Sequence, residues 1–137
     1  VNISISHHQG RVPVAVIRLE GQMDGQNFHE LIAKARELFE AGSRDLLLDL
    51  GGLTYISSAG LVALHAVALL LRGDSPPDPE QGWAALRSMD RARDAGRQEH
   101  VKLLNPRPEI TSVLDMVGLS AFFETFTDLD QAVQSFG

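Results

Sequence analysis

Leu46-Leu47-Leu48-Asp49-Leu50 is apolar at nearly every position, so a strand made from it needs both faces covered. Strands of that kind belong to sheets whose crossover connections place helices over them, which makes parallel pairing the expectation. Gly51-Gly52 closes the run. Val12–Leu19 has the same property. Val12, Val14, Val16 and Arg18 lie on one face, and Ala15, Ile17 and Leu19 on the other, which reads as a second central strand. Between the two runs Gly21-Gln22-Met23-Asp24 is expected to turn the chain. The period then changes, with Phe28, Leu31, Ile32, Ala35, Leu38 and Phe39 at helical spacing. Asp24 or Asn27 can cap that helix, and Gly42 can end it.

The same alternation continues. Asn2–Ser6 alternates polar and apolar residues and reads as an edge strand. Tyr55-Ile56 returns to the apolar layer, Ser57-Ser58 precede a helix running to about Arg72, and Gly73 ends it. Gly73–Gln81, with Pro76, Pro77 and Pro79 among acids, reads as an exposed loop, and Trp83–Ala95 as a polar helix. Val101–Leu104 is the next strand. Asn105-Pro106-Arg107-Pro108 opens a further helix with Ile110, Val113, Leu114 and Val117 as its buried stripe and Gly118 as its stop. Phe122–Phe126 reads as a short extended segment, and Asp128 caps a last helix over Leu129–Phe136. The expected fold is α/β: one domain over residues 1–137, with a mixed, mostly parallel sheet of four to five strands and about four to five helices. A loop-helix segment at about 73–97 is inserted into it.

Composition narrows the function. With 137 residues, 44% of them hydrophobic, the chain can build a real core. Its net charge of −6 argues against generic nucleic-acid binding, and 6% aromatics leave little for base stacking. The absence of cysteine removes disulfides, thiolate metal sites and cysteine nucleophiles. Leu61–Leu71, the most apolar stretch, is too short to span a bilayer. With no leader-like N-terminus, a cytoplasmic protein is expected. P-loop, dinucleotide, nucleophile-elbow and zincin signatures are missing. His7, His8, His29, His65 and His100 read as ordinary surface or core histidines, since a metal site needs several ligands together. The expectation is a protein that is not an enzyme and holds no metal or cofactor.

One stretch points to a site: Leu46 to Leu64, LLLDLGGLTYISSAGLVAL. A buried strand leads into a helix entrance marked by Ser57-Ser58, where backbone N–H groups are unpaired and the dipole is positive. A serine there can be an N-cap, contributing about 1 kcal/mol. It can also accept a phosphoryl group, adding roughly −1.5 to −2 charge without disturbing the fold.

These residues resemble the STAS-domain family, and within it the bacterial anti-sigma-factor antagonists. The family's hallmark is a hydrophobic strand ending in Asp, a turn, and an I-D-S-[ST]-G-L segment opening a helix. Here Leu46–Leu50 with Asp49 is followed by Tyr55-Ile56-Ser57-Ser58-Ala59-Gly60-Leu61. Gly21-Gln22-Met23-Asp24 stands where the family has G-x-[LI]-D. VKLLNP at Val101–Pro106 and VLDMVGLSAF at Val113–Phe122 resemble its late strand and its ending. Aligned on Ile56 and Gly60-Leu61, the resemblance implies Ser58 as phosphoacceptor, with Ser57 the fallback. It also implies a partner surface of Asp24, Tyr55, Ser57, Ser58, Ala59, Gly60 and Leu61. The implied partner is an anti-sigma factor that is also a histidine-kinase-like serine kinase, so that binding releases a sigma factor. A metal-dependent phosphatase would reset the switch.

Two features depart from the family pattern. Ser57 stands where the family has Asp, which bears on kinase recognition. The segment at 73–97 replaces a short connector. Arg72–Lys102 carries six of the 12 basic residues with six acids, so it is neutral and the remainder holds the whole −6. It reads as a solvated surface helix or as a segment that tunes partner choice. Two other classes of function fit the same residues. One is an accessory STAS domain of an anion transporter or sensory protein. The other is a module binding a nucleotide or lipid at the helix entrance near Ser57–Gly60.

Overall fold

The computed structural model describes residues 1–71 and 99–137. Among them five strands form one sheet: β1 (Asn2–Gln9), β2 (Pro13–Met23), β3 (Leu46–Ile56), β4 (Val101–Leu104) and β5 (Thr125–Phe126). Their spatial order is their chain order. β1 runs antiparallel to β2, and every later pair is parallel. The five described helices are α1 (Phe28–Glu40), α2 (Ser58–Leu71), α3 (Pro108–Val117), α4 (Leu119–Phe122) and α5 (Leu129–Gln134). The loop and helix expected over residues 73–95, and the stop at Gly73, lie outside the described residues.

A sheet whose parallel strands are added always on the same side takes all its right-handed crossovers over one face. That face carries the larger core. Ala15, Ile17, Leu46, Leu48 and Leu103 from the sheet meet Leu31, Ala35, Leu64, Ile110 and Phe122 from the four helices α1 to α4. The opposite face has a smaller core of Val14, Val16, Leu47 and Leu104, closed by Ala132, Val133 and Phe136 of α5 and its end. Thus β2 and β3 are buried on both faces, as their doubly apolar sequences require. Lys102 enters the smaller core at 6% exposure. Its ammonium donates to the backbone and side-chain oxygens of Ser135 at 3.1 and 3.0 Å and pairs with Glu124 at 3.4 Å. Its charge therefore stays compensated, and the ammonium also stands 4.7 Å from the centre of the Phe136 ring.

Helix ends follow the sequence with one exception. Gly42 at φ +108° continues past the end of α1, and Ser43 N–H returns to Leu38 O at 2.9 Å. Gly118, at φ +81°, terminates α3. Asp128 accepts from Gln131 N–H at 2.9 Å and caps α5. Asp128→Ala is expected to lower stability by about 1 kcal/mol, read as a shifted urea midpoint at unchanged slope. The exception is α1. Asn27 occupies its cap position, yet neither Asn27 nor Asp24 bonds the helix through its side chain. Both side chains hold the preceding turn.

Three expectations are corrected. Gly51-Gly52 does not end β3, and Gly21–Met23 does not turn the chain. Both segments remain strand because they pair with each other, Glu20 with Gly52, Gly21 with Leu53 and Met23 with Ile56. Glycines that look like a turn in one strand are tolerated when the neighbouring strand supplies a matching ladder. The segment Phe122–Phe126 pairs as a strand only at Thr125–Phe126, since Phe122 ends the helical turn α4 and buries its ring against His65 and Phe123.

Candidate functional site

β4 pairs with β3 only as far as Asp49, whereas β2 and β3 continue together to Met23 and Ile56. The tips of β2 and β3 therefore project beyond their neighbour as a two-stranded ribbon. Register shifts between Arg18 and Glu20 and between Gly21 and Gln22 bend it. Gly21 takes φ +97° at the second shift, a conformation open to glycine at no steric cost. Thr54 Oγ1 donates to Gly21 O at 3.0 Å across the ribbon.

At the tip Ser57 N–H donates to Met23 O at 2.9 Å and ties the two strand ends together. The chain then enters α2 directly. Ser57 Oγ accepts from Gly60 N–H at 3.3 Å, and Ser57 O accepts from Leu61 N–H at 3.0 Å. Ser57 is thus the N-cap, and Ser58 is the first residue of the helix. The cap energy expected for a serine at this entrance belongs to Ser57 and not to Ser58. Ser57 is half-buried and Ser58 is exposed.

Gly60 brings the helix onto the ribbon. A Cβ at this position would lie 2.5 Å from Ile56 Cγ1 and 3.3 Å from Met23 Cγ. Only a residue without a side chain lets the first turn of α2 approach so closely. Gly60 and Leu61 are both buried, so they shape the surface from beneath. Tyr55, by contrast, is 50% exposed and stands beside Gln22 on the ribbon, not in the apolar layer.

Asp24 follows Met23 and begins the turn into α1. Its backbone N–H donates to Asn27 Oδ1, and its carboxylate accepts from Gln26 N–H, both at 2.9 Å. Asn27 Nδ2 donates to Gln22 O at 3.0 Å. This reciprocal lock fixes the Asp24–Asn27 turn beside the α2 entrance. The junction thus gathers Asp24, Tyr55, Ser57, Ser58 and Ala59 at one end of the sheet, with Gly60 and Leu61 below. Asn27, a candidate cap in the sequence, and Thr54, which the sequence did not mark, hold it. The Asp24-x-x-Asn27 spacing was the available signal, since such residues close turns through their own side chains.

The electrostatics are simple. Leu19–Ala33 and Asp45–Leu71, the segments that build the junction, contain no lysine or arginine. A negative group added at Ser58 would meet the backbone amides of the α2 entrance and no cationic side chain from these segments. Its charge would face outward. Among the described residues no group of side chains could hold a metal ion, and no helix is long and apolar enough to cross a membrane.

This arrangement is a mixed sheet with a strand-to-helix junction opened by Ser57 and Ser58. The family model described as "Mlab, STAS domain" matches residues 7–76, just over half of the chain and including the whole junction. The chain belongs to the STAS domain family. No curated protein matches it. Several solved structures share the fold. An anti-sigma factor antagonist from Mycobacterium paratuberculosis superposes with a TM-score of 0.66 at 15% identity, covering 98% of this chain and 92% of that one. The Bacillus cell fate determinant SpoIIAA in its phosphorylated form gives 0.53 at 20% identity, over 96% of each chain. The anti-sigma factor antagonist SpoIIAA in its unphosphorylated form gives 0.51 at 19%, over 95% of this chain and 91% of that one.

Proposed function

We propose that this STAS protein is an anti-sigma-factor antagonist controlled by phosphorylation of Ser58. The observation that carries the reading is the division of labour at the α2 entrance. Ser57 spends its hydroxyl on the cap, and Ser58 stands exposed beside it at the positive end of the helix. The neighbouring folds support the class of function, since solved structures with this architecture include anti-sigma factor antagonists.

In its unmodified form the protein docks on an anti-sigma factor through Asp24, Tyr55, Ser57, Ser58 and Ala59, and so frees a sigma factor. The anti-sigma factor is also the kinase, of the histidine-kinase-like ATPase type. Ser58 Oγ attacks the γ-phosphorus of the kinase's ATP. The bond to the β-phosphate oxygen breaks, ADP leaves, and the hydroxyl proton passes to a base on the kinase. The protein supplies the nucleophile's position and performs no catalysis of its own. A metal-dependent phosphatase restores the hydroxyl. All of this takes place in the cytoplasm, without nucleic-acid contact.

Incubation with the cognate kinase and ATP, followed by peptide mass spectrometry, tests the reading. Phosphate is expected on Ser58, none on Ser58→Ala, and modification at Ser57 alone would sink the assignment. Ser57→Ala should still be modified at Ser58 while losing about 1 kcal/mol of stability with its cap. Ser58→Ala, which leaves the cap in place, should change stability by no more than about 0.5 kcal/mol. The reverse pattern of stability losses in urea titration would show that the cap has been misassigned.

A further inference from the structure

We propose that the outer edge of β1 is a self-association surface, through which two copies of the chain pair antiparallel into one continuous sheet. Among the described residues the strand order β1-β2-β3-β4-β5 leaves one side of β1 without a partner, and the opposite edge strand, β5, is only Thr125–Phe126. Monomeric proteins guard a long edge with lysine, proline or inward-pointing charges. Asn2–Gln9, NISISHHQ, is eight residues long and contains no lysine, arginine, aspartate, glutamate or proline. At its centre Ile5 is 37% exposed, although its neighbour across the ladder, Ile17, is fully buried.

Charge selects a second copy as the occupant. The chain carries a net −6, so most approaches of two copies are repulsive. β1 is a strip without carboxylates. Antiparallel strands pair residues that point to the same face, and a two-fold axis through Ile5 satisfies this. It sets Ile5 against the second copy's Ile5, Ser4 against Ser6, and Ile3 against His7. Ile3 packs on the helix-bearing face, so Ile5 and His7 alternate onto that face as well. Beside Val1–Ile3 a groove of about 450 Å³ is lined by Glu30, Ala33, Lys34 and Glu37 of α1. The second copy's His7 therefore arrives next to this groove, whose wall carries Glu30 and the Lys34–Glu37 ion pair at 3.4 Å. The same axis sends the two Ser57–Ser58 junctions to opposite ends of the joined sheet and leaves both open. The proposal is thus independent of what the junction binds.

The chain has no cysteine, so a single introduced thiol reports on self-pairing directly. Cα atoms directly opposite each other in an antiparallel pair are about 4.5–5.5 Å apart, within disulfide reach. Ile5→Cys is expected to form a disulfide-linked dimer under mild oxidation at least about tenfold faster than Ser4→Cys, whose position faces Ser6 across the axis and not itself. Equal rates would overturn the register. In sedimentation velocity the wild type should dimerise with rising concentration. Ile5→Lys should stay monomeric with an unchanged circular dichroism spectrum, and mixing it with Ile5→Glu should restore dimers. A wild type that remains monomeric up to about 1 mM, the weak end of specific association, would end the proposal. So would dimerisation undiminished by Ile5→Lys.

Discussion

Gly60→Val is expected to cost about 3 kcal/mol or more, the largest stability loss of any single change at the junction. A Cβ alone would stand 2.5 Å from Ile56 Cγ1 and 3.2 Å from Ile56 Cδ1. Cγ1 lies next to the branch point of a side chain that is 4% exposed, so it cannot swing aside as a flexible terminus would. Gly60→Ala sets two effects against each other. Alanine favours a helix over glycine by about 1 kcal/mol, whereas overpacking costs about 1–3 kcal/mol. The clash should win, by a smaller margin than for valine. Urea titration measures both. A double-mutant cycle identifies the cause, because Ile56→Ala removes the obstructing atoms. Ile56→Ala should cost about 2–5 kcal/mol alone and distinctly less when Gly60→Ala is already present. Strict additivity, or a Gly60→Val variant as stable as wild type, would mean that the helix entrance does not depend on this approach.

The elements whose residues contact the core in a regular period were legible in the sequence. Val101–Leu104 emerged with its observed bounds, and Val12–Leu19 showed the two-faced burial that the two cores bear out. The strand extensions were not legible. Nothing local in Gly51-Gly52 or in Gly21-Gln22-Met23 favours an extended ladder. They are strands because each is the other's partner, and such pairing is a property of two distant segments. Phe122 failed for a related reason. An aromatic run has high strand propensity, but the hydrophobic demand of the helix layer draws Phe122 inward against His65, with Phe123 edge-on to Phe122. Of the candidate site, the strand-to-helix stretch and its two serines were legible in the sequence. Their roles depend on which hydroxyl reaches Gly60 N–H, which is settled by where the helix begins, and helix ends move by a residue or two under any sequence rule.

Phosphorylation of Ser58 is expected to weaken binding to the anti-sigma partner at least about 100-fold, or about 2.7 kcal/mol, while leaving the fold intact. The two halves of that statement have separate physical origins. The fold survives because the modified oxygen is exposed at the positive end of α2, takes no part in the Ser57 cap, and adds charge where a helix tolerates it. Binding is expected to fail because no lysine or arginine in the junction's own segments can neutralise the phosphoryl group, and Arg107, which reaches β3 from outside them, donates its Nε–H to Gly51 O at 3.0 Å. A partner surface that packs over Ala59 and Tyr55 must then desolvate close to two negative charges. Ser58→Asp carries one charge on a shorter side chain and should lose roughly tenfold, less than the phosphoprotein. Titration calorimetry of the unmodified protein, the phosphoprotein and both Ser58 variants should give the order Ser58→Ala and wild type tightest, Ser58→Asp intermediate, phosphoprotein weakest. The difference should shrink at high salt if Coulomb repulsion dominates and persist if desolvation does. A phosphoprotein that binds as tightly as the unmodified form would remove charge at Ser58 as the switch, even with the site of modification correctly assigned.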